Sequence, residues 1–529
     1  MSKYFKIVSP FLILILFIGC TAKYYKNSAD KEVYKIIGEK TKNIKGMPST
    51  FIIDSKDDLS TATLSKKDAL VLTLNQSIET AVKNSRDYQS QKEALYIQGL
   101  SLTSSRHEWD YIFSGTAEGE VGRDAKVSSA SSTFGLGLSK MFATGADLSL
   151  DLTTNLMRNI SSGDPEKTAA SAISATLTQP LLKGAGKKVA MENLTQAERD
   201  MMYAIRDFIR YRRTFSVDIA KKYFEILKAK DRLKNALENY NGLKEDMQRD
   251  ALLAEAGRKP QIQVDQTKQD ELSARDNWIQ AQQSYDKLLD NFKITLGLSA
   301  DMQIILDENE MKRLAEKGLN KINITVDQAT SRSLEYRLDL MNEKEAFEDA
   351  ERKVAVAKNS LKPGLDLILQ YNNQTQEALK PLKFGDEYDS YSAGLSLDSP
   401  FDKKSDRNNY RQALISYESS KRDLSKSIDD IKLEVRNALR NLDQAEKSYE
   451  IQKISLGLSE KRVDMTSLFQ EAGRSATTRD VLEARRSLLN SQNALTSALI
   501  DHYNARLDLF IALESLIIDD NGIWQEGKL

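Results

Sequence analysis

The chain has 529 residues, 40% hydrophobic and 29% charged, with only 8 prolines, which is the composition of a long helical protein with sparse breaks. Its 76 basic residues against 77 acidic ones leave a formal charge of -1, so no global field recruits nucleic acid or one class of charged solute. The single cysteine, Cys20, excludes an internal disulfide and a cysteine-built metal site.

The N-terminus reads as an export leader. Lys3 and Lys6 precede an apolar run from Phe11 to Ile18, too short to span a bilayer core of about 30 Å as a helix but suited to a signal peptide. The run ends at Gly19-Cys20 and resembles a bacterial lipoprotein signal, with Phe17 where that pattern prefers leucine. The resemblance implies cleavage after residue 19 and lipidation of Cys20, whose acyl chains would contribute roughly 0.8 kcal/mol per buried methylene as a membrane tether. An ordinary signal peptide with a stray cysteine is the alternative, and it keeps the export inference. Beyond Cys20 no segment approaches the length of a transmembrane helix, so a membrane crossing requires a closed barrel.

A helix start at Leu72-Thr73-Leu74-Asn75-Gln76-Ser77 recurs as Ile324-Thr325-Val326-Asp327-Gln328-Ala329, and the same offset carries Asp87 to Asp339 and Lys92 to Lys344. One unit has been duplicated. After the first helix, Trp109 to Phe113, Phe134 to Leu138, Leu148 to Leu152 and Ile173 to Leu177 alternate apolar with polar or small residues, the two-residue period of strands. Ala143-Thr144-Gly145-Ala146 is a turn between two of them. The corner Thr178-Gln179-Pro180-Leu181, echoed by Asp398-Ser399-Pro400-Phe401, closes this region. Gly184-Ala185-Gly186-Lys187-Lys188 lacks the phosphate-binding G-x-x-x-x-G-K-[ST] pattern and reads as a flexible corner.

From about Lys187 to Ala254 the sequence has one glycine, Gly242, and no proline, enough for a helix of about 100 Å. Its end, Glu255-Ala256-Gly257-Arg258, is echoed by Glu471-Ala472-Gly473-Arg474. The second unit offers strands at Leu365 to Tyr371 and Ala393 to Leu397. It then has a coiled-coil seam, Leu424, Ile428, Ile431, Val435, Ala438, Leu442, Ala445 and Tyr449. A soluble coiled-coil spacer would explain the helices, and a soluble sandwich the strands. Strands of this length and alternation also match a membrane barrel.

The duplicated order of helix start, strands, corner, very long helix, Gly-Arg turn and return helix resembles the TolC family of outer-membrane efflux proteins over about residues 70 to 517. Leu72 to Asp87, Gln179 to Leu182 and Gly473 to Ala484 carry most of the likeness. It implies a mainly α fold with membrane β, in which tandem-duplicated long helical hairpins form a trimeric periplasmic α-barrel joined to a shared transmembrane β-barrel. It further implies a passive exit duct in the outer membrane, extending into the periplasm and serving a tripartite efflux or type I secretion system. The partners would be a periplasmic adaptor (membrane fusion) protein, an inner-membrane transporter and outer-membrane lipid, with no cofactor and no nucleic acid. The segments would be a signal peptide (1–19), an N-terminal anchor (20–66), a first efflux repeat (67–297), a linker (298–318), a second repeat (319–517) and a tail (518–529). The family plan needs four strands per chain, two per repeat. The first unit has four by itself, so either the extra pair extends a longer hairpin outside the membrane, which is preferred, or the barrel holds more strands.

By the same resemblance, acidic residues narrow the periplasmic entrance where long helices turn back. Asp480 and Glu483, three residues apart and so on one helix face, would form the acidic ring, with Asp265 of the first turn a weaker candidate. Ordinary solvated helix-end charge is the alternative for all three. Arg258 and Arg474 sit at matching places beside the turns, where they would bridge carboxylates of adjacent helices and brace the gate. Catalysis finds no support, because His107 and His502 stand apart with no carboxylate or cysteine at ligand spacing. The competing reading from another class is a lipid-anchored periplasmic coiled-coil structural protein without a pore.

Overall fold

The computed structural model describes residues 21–42, 44, 46–53, 70–124, 127–159, 167–319, 321–375, 382–472 and 477–526. The leader, Cys20 and Arg474 lie outside the described residues. In chain order the elements are α1 (Ala22–Thr41), β1 (Leu70–Leu72), α2 (Leu74–Asn84), α3 (Arg86–His107), β2 (Ile112–Asp124), β3 (Val127–Met141), β4 (Asp147–Asn159), β5 (Lys167–Pro180), α4 (Lys187–Ala190), α5 (Glu192–Glu255) and α6 (Gln261–Thr295). Then follow β6 (Ile304–Leu306), α7 (Asn309–Lys317), α8 (Val326–Tyr336), α9 (Leu338–Ser360), β7 (Gly364–Gln374), β8 (Ser390–Asp398), α10 (Lys404–Glu471), α11 (Thr478–Ala512), β9 (Leu516–Ile518) and β10 (Trp524–Glu526).

The repeat begins on a capping device. The Thr73 hydroxyl accepts the Gln76 backbone N–H at 3.3 Å while Gln76 Oε1 accepts the Thr73 N–H at 3.0 Å. Thr325 and Gln328 make the same exchange at 3.3 and 3.1 Å. Each box satisfies backbone donors that a helix start leaves unpaired, and so fixes where α2 and α8 begin. The long helices α5 and α10 have 64 and 68 residues, and the return helices α6 and α11 have 35 each. The expected seam is buried along α10 at Ile431, Val435, Ala438, Leu442 and Ala445.

The chain divides into two units. One holds α1, Leu95–Ile205 and Asn342–Ser425, and with them all six long strands. Here α1, within the segment expected to be an anchor, is a helix that buries Val33, Ile36 and Ile37. Gly99 of α3 leaves room for Val33, whose Cγ1 would stand 2.6 Å from an added Cβ. Glu198 of α5 receives Lys40 of α1 and Arg106 of α3, each at 2.6 Å. Burial alone would raise the Glu198 pKa, but the two cations hold it below the usual carboxylate value.

The strands of this unit form one antiparallel sheet in the order β2-β3-β4-β5-β7-β8. This corrects the preferred expectation for the extra pair of strands. Rather than extending a hairpin upward, β3 and β4 lie within the sheet, β4 pairing with β5 from Asp147 opposite Thr178 to Arg158 opposite Lys167. The physical reason is the turn at Phe142 to Ala146, closed by Gly145 N–H donating to Phe142 O at 2.8 Å with Gly145 at φ +91°, which folds β4 back along β3 for its full length.

The other unit holds Asn43–Ala94, Arg206–Met341 and Lys426–Leu529. Its core gathers Phe208, Ile219, Tyr223, Phe224, Phe292, Leu507 and Phe510. Short β1 pairs in parallel with β6, and β9 with β10 antiparallel. An ion-pair network ties the second half's connecting residues to the long helices: Arg337 meets Asp339 at 2.7 Å and Glu434 at 2.6 Å, and Arg210 reaches Asp339 and Glu514 at 3.1 and 2.9 Å. Among the described residues no helix is long and apolar enough to cross a membrane.

Candidate functional site at the helical turns

The hairpin turns carry the expected gate residues, and the structure gives each a different surrounding. Asp480 is the third residue of the capping box that starts α11. Its carboxylate accepts the Thr477 backbone N–H at 2.8 Å and the Thr477 hydroxyl at 2.7 Å. These two hydrogen bonds hold its pKa below the usual carboxylate value, so the group is ionised and exposed while it caps. Glu483, one turn on, pairs with Arg462 of α10 at 3.0 Å, with both side chains about half exposed. Asp265 accepts the Gln261 side-chain amide at 3.1 Å on the first turn of α6. That helix starts on Pro260 with no side-chain cap, so the two turns are built differently.

Within the chain, further residues make the contacts between these helices. Asp246 of α5 is buried, with Arg485 Nε of α11 at 2.6 Å and Arg249 at 2.7 Å. The Arg485 Nε–H does not point at the Asp246 oxygen, so this contact is charge attraction and not a hydrogen bond. Arg486 reaches Asp270 of α6 at 3.1 Å, and the Thr478 hydroxyl donates to Gln263 Oε1 of α6 at 3.3 Å. Inside the first turn, buried Asp250 takes Lys259 at 2.5 Å and the Thr267 hydroxyl at 2.8 Å. Leu243, Ala274 and Leu482 bury one another between α5, α6 and α11, and Tyr240 stacks on Trp278 with centroids 5.9 Å apart.

Arg258 is exposed and enters no ion pair among the described residues. Within the chain the ion pairs between these helices are made by Arg485 and Arg486. The one signal in the sequence that bears on this contact is Gly242, the lone glycine of the long helix, which does not by itself name Arg485. A Cβ there would stand 2.5 Å from Arg485 Nη1, so glycine leaves the space that the guanidinium crosses to reach Asp246. Elsewhere, His107 ends α3, and His502 is buried in α11, where burial lowers its pKa. Among the described residues no group of histidine, cysteine and carboxylate side chains stands where it would hold a metal.

The sheet, in the other unit, carries a separate feature. Across all six strands the register lines up apolar residues on one face, as in the row Phe113, Leu138, Leu150, Ala175, Tyr371 and Tyr391. The neighbouring row on the opposite face is Ser114, Gly137, Asp151, Ser174, Asn372 and Ser390. Phe113, Leu136, Tyr391, Leu395 and Leu397 are all more than 60% exposed, which a sheet in water does not tolerate as a continuous surface. An apolar outer face with a polar inner one is the alternation of a transmembrane barrel wall.

Residues 329–513 match the family described as outer membrane efflux protein. The fold of the chain as a whole is that of solved outer-membrane channels. It is similar to the CmeC outer membrane channel of Campylobacter jejuni at 15% identity and a TM-score of 0.62, covering 92% of this chain and 96% of that one. It is also similar to the outer membrane protein VceC of Vibrio cholerae at 15% identity and a TM-score of 0.60, covering 83% and 95%. The open state of the MtrE outer membrane channel of Neisseria gonorrhoeae gives 14% identity and a TM-score of 0.58, covering 83% and 88%. No curated protein matches the chain by sequence. The description of the family that residues 329–513 match places that family in the outer membrane.

Proposed function

We propose that the protein is the exit duct of a tripartite efflux or type I secretion system. It works as a homotrimer, conducts passively, and takes its energy from an inner-membrane transporter through a periplasmic adaptor protein that meets the helical hairpins. The sheet carries this reading, because a single wall with one apolar and one polar face serves to enclose water within lipid. A coiled-coil anchor has no use for such a wall. Removal of residues 1–19, lipidation of Cys20 and the division into two repeats at 67–297 and 319–517 belong to the same proposal.

The gate works at the hairpin turns. Asp480, Glu483 and Asp265 place carboxylates at the entrance, and threefold repetition would make them attractive to cations at short range. Asp246 with Arg485, and Asp270 with Arg486, hold the return helices against the long helix and against each other. The exposed Arg486 pair is worth about 0–1 kcal/mol, so a docking partner displaces it readily, whereas the buried Asp246 pair sets the larger barrier.

Full-length protein extracted from outer membranes should run as a heat-modifiable trimer and form channels in planar bilayers. A soluble rod without channel activity, once the leader is removed, would sink the proposal. Within it, Asp480→Ala with Glu483→Ala should weaken block by multivalent cations and raise conductance; unchanged single-channel behaviour removes both residues from the gate.

A further inference from the structure

The four strands of the first half and the two of the second hold equal places in one sheet. We infer that β3 and β4 are wall strands, so that each copy supplies six strands and a ring of three copies closes at eighteen. The inference rests on the trimeric channel proposed above and adds the width of its barrel.

Three observations carry it. The first is the register. Leu136 and Leu138 of β3 and Leu150 and Leu152 of β4 continue the apolar face of β5, β7 and β8, while Gly137, Ser139, Ser149 and Asp151 continue the polar face. A hairpin standing clear of the bilayer would gain nothing from matching the inward and outward sense of the wall beneath it. The second is the β3–β4 turn, which sits at the corner where β5 ends. Gly186 N–H donates to Thr144 O at 3.0 Å, the Thr144 hydroxyl to Gln179 Oε1 at 3.0 Å, and a Cβ on Gly145 would stand 2.7 Å from Gly184 O. The inserted strands therefore start level with the others.

The third is the pair of open edges. Every residue of β8 is exposed, and β2 is exposed along most of its length, with no proline or bulge in either to blunt it. Unpaired N–H and C=O groups of an edge strand do not persist in hydrocarbon, so both edges require a partner. Because the number of strands per copy is even, β2 and β8 run in opposite directions, and β8 of one copy meets β2 of the next as an antiparallel pair. A second copy of this chain is the partner that fits, and each added copy presents the same pair of edges until the ring closes. At a strand spacing of about 4.8 Å and a tilt of about 40°, a ring of twelve strands has a radius of about 12 Å and one of eighteen about 18 Å. The inserted hairpin thus widens the barrel about 1.5-fold and roughly doubles its cross-section, into the range of water-filled porins.

Electron cryo-microscopy of the purified full-length complex counts copies and strands per copy separately. The expected result is three copies and eighteen strands, with β2 of one copy beside β8 of the next. Three copies around a narrower wall, with β3 and β4 or β2 and β3 lying outside it, would overturn the inference and leave the trimer standing. Six wall strands in each of a different number of copies would uphold the six-strand contribution and fell the trimer instead. As a second measurement, polymers added from the outer face of a bilayer should be excluded at a radius about 1.5-fold larger for the full chain than for a chain lacking residues 127–159. Equal cut-offs count against the widened wall.

Discussion

The two repeats agree in their helices and disagree in their strands and turns. Opening helices of 11 residues each start on the same Thr-Gln box, and return helices of 35 residues each follow long helices of 64 and 68. Yet the first repeat has four long strands to the second's two, and its return helix starts on Pro260 where the second starts on Thr477 and Asp480. Packed helices tolerate little change in length, because each residue added turns the buried face by about 100°. A meander accepts a further hairpin at no such cost, since two more antiparallel strands preserve both the alternation and the direction of the edges.

The largest effect expected from this comparison comes from placing a charge on the outer face of the wall. Leu136→Arg in β3 and Leu395→Arg in β8 should each cost about 2–4 kcal/mol near the bilayer midplane and abolish trimer yield from outer membranes. If only the second is harmful, the inserted strands do not face lipid. Next, Asp246→Ala leaves Arg485 unpaired and should lower the stability of the α5–α11 contact by about 3 kcal/mol. Open-channel probability in planar bilayers should rise with it, while Arg258→Ala leaves both measurements at the native value.

Ion selectivity sharpens the contrast between the faces of the sheet. On the polar face stand Glu118, Glu120, Asp147, Asp151, Asp366 and Asp398, while Arg123, Lys140 and Arg158 share the parity of the apolar face. The wide barrel should therefore favour cations over anions several-fold at about 0.1 M salt. The preference should fade near 1 M, as the screening length falls from about 10 to about 3 Å. A reversal potential favouring chloride contradicts the assignment of faces.

The smallest effect concerns the caps. The folded-state pKa of Asp480 is depressed by its bonds to Thr477, so the cap's contribution is complete above the ordinary carboxylate range and is lost as the pH falls through the lowered value. Hydrogen exchange at the start of α11 should accelerate with acidification, whereas the start of α6, on Pro260, should lack that dependence. Thr477→Ala should cost about 1 kcal/mol at neutral pH and erase the difference between the two turns.

Much of this organisation was legible in the chain itself. The Thr73 and Thr325 boxes, the seam through Ile431 to Ala445 and the alternating strands are local patterns, set by periods of 3.6 and 2 and by the chemistry of a helix start. The likeness to outer-membrane efflux proteins followed from their duplicated order. The bracing pairs were not legible, because Asp246 and Arg485 stand far apart in sequence and nothing local distinguishes them from the many other charges on amphipathic helices. Gly242 hinted at a close approach without naming what approached.

By itself, then, the sequence determined the repeat, the types of its elements and which face of each is apolar, since these depend on neighbours a few residues away. Only the tertiary structure decided that all six strands share one sheet, that α1 packs on α3, and that Arg485 meets Asp246 of the long helix. Strand pairing and ion pairs between helices join residues distant along the chain, and which distant partner wins depends on the three-dimensional register in which backbone hydrogen bonds and buried charges are satisfied together.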